Sequence, residues 1–373
     1  MNCKRRVCIF LSAVTIMGLL LPIVTSAEGG ISVSAESAVL YVPETSTFLF
    51  EKNADARMPM ASTTKIMTAL LVLENAELYD KVKIPMEAVG VEGSSAYLRG
   101  DERLTVEELL YALMLQSAND VAVTLAYHIG GDVDAFAKMM NERARELGLQ
   151  DTHFTNPHGL DNEKHYTSAH DLAIIAAEAL KNQDFKRIVS AGRMTFATEE
   201  RRRTYVNHNK LLRLYDGCIG VKTGFTKKSG RCLVGAAEKD GLTMVSVTLD
   251  APNDWNDHER LLDLGYSTLE KINFCDIGDF SFTLPVLGGK VDSLSVQNTE
   301  ARSIIIEKSE QELSEYVKLV RYAIAPVNKG DILGEVIFTL DGEEVTRVPI
   351  VATESIPSEK ENKFIDKILS IFK

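Results

Sequence analysis

The sequence predicts a mixed α/β fold in two units. A large domain has a sheet assembled from both ends of its segment, and a small all-β domain follows it. Three observations carry this reading. Strand patterns at residues 37–42 and 47–50 precede a long block of helical periodicity between residues 62 and 181. Strand patterns return at 195–196, 219–223, 232–237 and 242–249, with one helical stretch after them at 257–269. From 273 to 352 only short strand patterns remain. Strands on both sides of a helical block, within one segment, imply a sheet drawn from both ends of it.

The elements follow in order. Ser37-Ala38-Val39-Leu40-Tyr41-Val42 is a β-rich run that Pro43 stops, and Thr47-Phe48-Leu49-Phe50 resumes it. A helix from Ser62 to about Ala76 rests on Met67, Leu70, Leu71 and Leu73 at helical spacing. Further helices are expected over 104–114, 121–129, 132–148 (closing on Gly148) and 169–181. In the last third, strands are expected at 280–284, 303–306, 317–324, 335–339 and 345–350, separated by turn signals such as Gly288-Gly289 and Asp341-Gly342. The expected division is an export signal over 1–27, the mixed domain over 28–272, the all-β domain over 273–355 and a terminal helix over 356–373.

The 373 residues are 45% apolar and 25% charged, ordinary globular composition with material for a real core. The net charge of −12 is held by a body more acidic still, because residues 1–27 carry Lys4, Arg5 and Arg6 and no acids. Such a body lacks the clustered cations that phosphate contacts need, which excludes a nucleic-acid partner. Lys4-Arg5-Arg6, the apolar run 7–24 and the small residues Thr25-Ser26-Ala27 have the three parts of a secretory signal. A retained membrane helix is the competing reading, and Pro22 with the small-residue end favours cleavage. Beyond Cys3 and Cys8 in that segment, Cys218, Cys232 and Cys275 remain, an odd number that makes no disulfide framework. Cys218 and Cys232 could pair across neighbouring strands or sit as buried thiols.

Chemistry concentrates in three short motifs. Ser62-Thr63-Thr64-Lys65 is an S-x-x-K at a helix start. Residues three apart share a helical face, so the lysine amine reaches the serine hydroxyl. Unpaired N–H groups at a helix start favour a developing oxyanion. Ser370-Ile371-Phe372-Lys373 matches too, but no long helix follows it. Ser117-Ala118-Asn119 lies between two helical segments. Lys222-Thr223-Gly224 follows Ile219-Gly220-Val221 and reads as the exposed edge of an apolar strand, where the glycine lets a ligand approach the backbone. Tyr205-Val206-Asn207 and Lys228-Ser229-Gly230 are weaker rivals for the second and third motifs. Each motif alone is ordinary surface or capping chemistry; their order in an exported protein is what points to acyl transfer.

From about residue 34 to 270 the sequence resembles the serine-type D-alanyl-D-alanine carboxypeptidases, low-molecular-mass penicillin-binding proteins. The resemblance runs through Ala61-Ser62-Thr63-Thr64-Lys65-Ile66-Met67-Thr68, Thr105-Val106-Glu107-Glu108-Leu109-Leu110, Ser117-Ala118-Asn119-Asp120, Asn156-Pro157-His158-Gly159-Leu160 and Gly220-Val221-Lys222-Thr223-Gly224. It implies a penicillin-binding-protein/serine β-lactamase-like domain, with an antiparallel sheet and a helical subdomain. Ser62 would attack the carbonyl between two D-alanines of a peptidoglycan stem peptide, and β-lactams would be inhibitors. Lys65 would be the general base, neutral through burial beside Lys222. Ser117 would relay a proton to the leaving amine and Asn119 would position the peptide. Lys222 and Thr223, with Gly224, would hold the terminal carboxylate. Backbone N–H groups of Ser62 and Phe225 would form the oxyanion hole. Some members add a downstream arginine at the carboxylate, and residues 253–258 contain none.

His153, His158, His165 and His170 fit no helical ligand pair and no H-E-x-x-H occurs, so neither metal nor other cofactor is expected. A serine β-lactamase shares the three motifs but needs a deacylating carboxylate. Glu178 and Asn182 mimic the spacing from within an amphipathic helix rather than a loop. A non-catalytic wall-binding or β-lactam-sensing protein is the third reading, and the intact Ser62/Lys65 pair opposes it. Finally, Ser358 and Glu361 form a capping box ahead of Phe364, Ile365, Ile368, Leu369, Ile371 and Phe372, which share one helical arc opposite Lys363, Lys367 and Lys373. Such a helix suits an anionic leaflet, which places the protein at the outer face of the cytoplasmic membrane; a helix docked on the β-domain is the alternative.

Overall fold

A computed structural model of the chain describes residues 31–197 and 202–359. The expected export segment and the arc beyond Glu361 lie outside the described residues.

Strands β1 (Ser37–Val42) and β2 (Thr47–Lys52) open the chain. A 3-10 turn at Ala61–Thr64 runs into helix α1 (Lys65–Asn75). A small hairpin of β3 (Lys81–Lys83) and β4 (Arg103–Thr105) leads into α2 (Val106–Leu115), α3 (Asn119–Gly130), α4 (Val133–Glu146), α5 (Ala169–Leu180) and α6 (Gln183–Ser190). The hairpin β5 (Arg193–Ala197) and β6 (Arg202–Val206) and the short α7 (Leu211–Leu214) follow. Strands β7 (Cys218–Thr226), β8 (Gly230–Lys239) and β9 (Leu242–Leu249) and helix α8 (Asp254–Thr268) complete the mixed unit.

Local chemistry starts these helices. Thr105 caps α2 in a reciprocal box with Glu108. Asp132, Ser168 and Asn182 each accept backbone N–H groups at the starts of α4, α5 and α6.

The five strands order as β2-β1-β9-β8-β7, all antiparallel, so the first strands of the unit join its last ones. Alternation sends successive residues to opposite faces. Val39, Tyr41, Val234, Ala236, Val245 and Val247 pack against the helical block, while Ala38, Leu40, Val42, Leu233 and Met244 pack under α8 with Leu261 and Leu262. On the α8 side, buried His258 meets Ser246 Oγ at 2.7 Å and Thr248 Oγ1 at 3.0 Å. β7 is a sheet edge, and it runs beside the 3-10 turn that carries Ser62.

A β unit follows, made of β10 (Leu269–Cys275), β11 (Ser281–Leu287), β12 (Ser293–Asn298), β13 (Arg302–Glu307), β14 (Leu313–Leu319), β15 (Ala323–Ile324), β16 (Ile332–Leu340) and β17 (Glu343–Ala352). Six strands order as β14-β16-β17-β12-β11-β15, and β10 pairs with β13. Phe274 stacks on Phe338 at 4.9 Å between ring centres in a core with Leu294, Val296, Val348 and Ile350.

Four differences from expectation have local causes. α6 is only eight residues long, too short for a visible period. β12 carries two apolar side chains, Leu294 and Val296, among polar ones. The run expected at 317–324 is two strands, because the chain leaves β14 and pairs again beside β11 as β15. At the far end Ile356 bridges Val327 and Ser358 bridges Gly289, so residues 356–359 are tied to the β unit rather than opening a helix. The reason is Ile356, which is buried in that core.

The three described cysteines are free thiols. Cys218 and Cys232 do lie on neighbouring strands, but register sets Cys218 opposite Ala237 and Cys232 opposite Gly224, too far apart for a bond.

Candidate active site

Ser62 sits on the 3-10 turn and Lys65 is the first residue of α1. The loop 156–160 presses on this turn. Gly159 has φ +88°, and a Cβ there would lie 1.8 Å from Ala61 O, so only glycine fits. Asn156 Oδ1 accepts from Gly159 N at 2.7 Å and its Nδ2 donates to Leu160 O at 3.0 Å, which holds the loop's shape. Thr68 Oγ1 donates to Pro157 O at 2.7 Å, fixing the loop to α1.

Lys65 Nζ has three neighbours: Ser62 Oγ at 2.9 Å, Asn119 Oδ1 at 2.7 Å and the carbonyl of His158 at 2.6 Å. Asn119 is oriented by its own Nδ2, which donates to Glu92 O at 2.6 Å, so Oδ1 must face the lysine. Lys65 is fully buried, and its pKa is held well below the ordinary lysine value by desolvation first and by the Lys222 charge second. A neutral amine keeps two N–H donors. Asn119 Oδ1 and His158 O can only accept, so they take both, and the lone pair is left facing Ser62 Oγ. The arrangement therefore orients a base at a nucleophile.

Lys222 and Thr223 lie on β7. Lys222 is buried, its Nζ donates to Thr223 O at 3.0 Å, and burial lowers its pKa to about 7. Gly224 lets the edge strand approach the nucleophile turn. A Cβ there would stand 3.1 Å from both Ser62 N and Met60 O, which puts the backbone of 224–225 beside that of Ser62. Ser117 joins α2 to α3 with φ +61°, a left-handed conformation unusual for serine.

A cleft of about 380 Å³ opens over these groups. Of the expected site residues, Ser62, Ser117, Thr223, Gly224 and Phe225 line it, with Phe225 well exposed. Lys65, Asn119 and Lys222 are buried and do not line it. Asn119 Oδ1 accepts from Lys65 and its Nδ2 donates to Glu92 O, so the side chain steadies the lysine and keeps a second N–H beyond these bonds.

The cleft also has a wall that motif reading missed: Ser94, His208, Lys210, Arg231, Asp254 and Trp255. An arginine does reach the cleft, but from β8, where Arg231 pairs in register with Phe225. Its Nη2 lies 2.8 Å from both oxygens of Asp254. Only pairing opposite the Lys222-Thr223-Gly224 strand marks Arg231, a signal that needs the register.

The histidines serve the scaffold. His165 Nδ1 accepts from Thr155 N at 3.0 Å, so its Nε2 carries the proton and donates to Thr64 Oγ1 at 2.8 Å. Burial lowers its pKa to about 4 and that of His158 to about 3. His153 stacks on Tyr166 and His170 on Phe48. Glu178 is ion-paired to Arg143 and Lys181 and lies outside the cleft lining.

Comparison with known proteins agrees with this geometry. Residues 23–253 match the D-alanyl-D-alanine carboxypeptidase family model, and residues 270–358 match the model of the penicillin-binding protein 5 C-terminal domain. The D-alanyl-D-alanine carboxypeptidase DacF of Bacillus subtilis is 34% identical over 337 residues, covering 86% of each chain. The crystal structure of penicillin-binding protein 5 from Haemophilus influenzae superposes with a TM-score of 0.64 at 28% identity, covering 88% of this chain and 99% of that one. The DD-transpeptidase of Streptomyces K15 superposes with a TM-score of 0.60 at 35% identity, covering 63% of this chain and 98% of its own. With an oriented serine–lysine pair beside an edge strand, and a family model matched over more than half its length, this chain belongs to the D-alanyl-D-alanine carboxypeptidase family.

Proposed function

We propose that the chain removes the terminal D-alanine from peptidoglycan stem peptides through an acyl-enzyme on Ser62. The observation that carries this is the three-way environment of Lys65 Nζ, which leaves its lone pair on Ser62 Oγ. Ser62 Oγ attacks the carbonyl between the two D-alanines as its proton passes to Lys65. The oxyanion that forms lies at the backbone N–H groups of Ser62 and Phe225. Collapse breaks the C–N bond, and the leaving amine takes a proton from Lys65 by way of Ser117. Water then attacks the ester as its proton passes to Lys65, the acyl C–Oγ bond breaks, Lys65 returns the proton to Ser62 Oγ, and the shortened peptide leaves.

A β-lactam enters the same path but stays on the serine. Among the described residues, Asp254 is the one carboxylate lining the cleft, and it is held in an ion pair with Arg231 through both oxygens. That disfavours the β-lactamase reading. Residues 1–27 direct export, and residues 360–373 attach the enzyme to the outer face of the cytoplasmic membrane, a reading supported by their apolar arc and basic flank.

The test is Ser62→Ala. It abolishes both D-alanine release and covalent labelling by a fluorescent penicillin, and labelling that survives refutes the assignment. Lys65→Arg is nearly as damaging, because arginine does not give up its proton.

A further inference from the structure

We propose that Lys210 supplies the positive charge that holds the terminal carboxylate of the substrate. The inference rests on the acyl-enzyme reading above and concerns which cation selects the substrate. The leaving residue carries a free carboxylate, so its subsite needs a cation that faces the cleft and is not already paired. The cations at this site divide clearly on those two conditions.

Lys65 and Lys222 are buried under the cleft rather than in its lining, and each amine is turned to protein oxygens. Burial also lowers the pKa of Lys222 to about 7, which weakens its hold on a charge. Arg231 does line the cleft, but its Nη2 meets both carboxylate oxygens of Asp254 at 2.8 Å, which spends its charge inside the protein. Lys210 lines the same cleft and, among the described residues, makes no ion pair; its Nζ lies 6.0 Å from the centre of the Trp255 ring.

The backbone beneath Lys210 is fixed, so the amine works from a rigid base. Asn207 Nδ2 donates to Val189 O and Ala191 O at 3.1 Å each, and its Oδ1 accepts from Asn209 N at 2.9 Å. Asn209 Oδ1 in turn accepts from Leu211 N at 3.0 Å. Both cationic side chains approach the Trp255 ring, with Arg231 Cζ 5.6 Å from the same ring centre. Arg231 and Asp254 thus form a neutral pair, and Lys210 is the charge left for a ligand.

The experiment uses the full-length protein and two probes: a blocked tripeptide ending in D-Ala-D-Ala, and the same peptide as its C-terminal carboxamide. The readout is kcat/KM for the acid divided by kcat/KM for the amide, a ratio from which a general loss of structure cancels. Wild type prefers the acid, and Lys210→Gln lowers that preference by about 10-fold or more, the scale of one lost charge-assisted hydrogen bond. The loss falls mainly on KM for the acid, and Lys210→Arg restores the preference to within about threefold. A ratio in Lys210→Gln within twofold of wild type overturns the proposal. So does a collapse of the ratio in Arg231→Gln while Lys210→Gln keeps it. Ser62→Ala is run beside them: D-alanine release that survives it overturns the acyl-enzyme reading itself, which the ratio does not address.

Discussion

Asp120→Ala tests the structural logic of the site without touching a reacting group. Asp120 is buried at the start of α3, and its carboxylate accepts from Ser95 Oγ at 2.7 Å, Ala96 N at 3.0 Å, Leu98 N at 3.1 Å and Val121 N at 3.0 Å. Three of those donors belong to one loop. The same loop gives Ser94 O to Asn119 N at 2.7 Å and Glu92 O to Asn119 Nδ2 at 2.6 Å. Removing the carboxylate strands the buried N–H groups of Ala96 and Leu98 and frees the loop that orients Asn119. Three charge-assisted bonds at roughly 1.5 kcal/mol each, less partial rehydration of the loop, give a loss of about 3–5 kcal/mol. With a urea slope near 3 kcal/mol/M, the unfolding midpoint falls by about 1–1.7 M. Trp255 is the only tryptophan of the chain and lies in α8, so its fluorescence follows the mixed unit alone. Penicillin acylation, measured in the folded variant, slows by about 10-fold or more, because Lys65 loses a fixed acceptor. A midpoint within 0.3 M of wild type (about 1 kcal/mol on that slope) together with unchanged acylation refutes this reasoning.

Two further predictions follow. His158, His165 and His258 are lowered by burial to about 3, 4 and 3 from an ordinary 6.5. The unfolded chain therefore binds protons that the folded one refuses, and stability falls as pH drops from 6.5 towards 4, by up to about 1.4 kcal/mol per pH unit for each histidine. Urea midpoints at several pH values measure this, with His258→Gln removing about a third of the slope; a flat profile refutes it. At the other end, a chain cut after Glu359 loses sedimentation with anionic vesicles while the β unit stays folded, and equal sedimentation of cut and full-length chains refutes the anchor. The cut belongs there and not before Ile356, whose buried side chain is part of the β core.

The fold was legible where one face of an element is apolar and long. β1 and β9 carry unbroken buried runs, and α2, α3 and α5 each bury eight or more residues. It was not legible where pairing, rather than composition, makes the strand. β12 reads SLSVQN and β10 reads LEKINFC, and each becomes a strand because a neighbour offers it hydrogen bonds. Ile356 looked like the start of a tail because its burial depends on Val327, twenty-nine positions earlier.

The site divides in the same way. Ser62 and Lys65 are three apart on one helical start, so spacing alone brings the amine to the hydroxyl, and the structure puts them at 2.9 Å. The two acceptors that decide what the amine does come from elsewhere. One is the side chain of Asn119, whose motif was visible; the other is the main-chain oxygen of His158, which has no side-chain signature at all. A carbonyl in that place matters more than an imidazole, because it cannot donate. It obliges Lys65 to spend an N–H on it, and so points the lone pair at Ser62 in the one protonation state that can act as a base. The same reasoning separates the two lysines of this region, Lys222 and Lys210. Lys222 sits in a recognisable motif yet is buried with its amine on Thr223 O, whereas Lys210 stands in an ordinary stretch and lines the cleft above the Asn207 and Asn209 hydrogen bonds. Motifs fix which residues meet; which of them keeps a free charge is decided by burial and by the partners already taken.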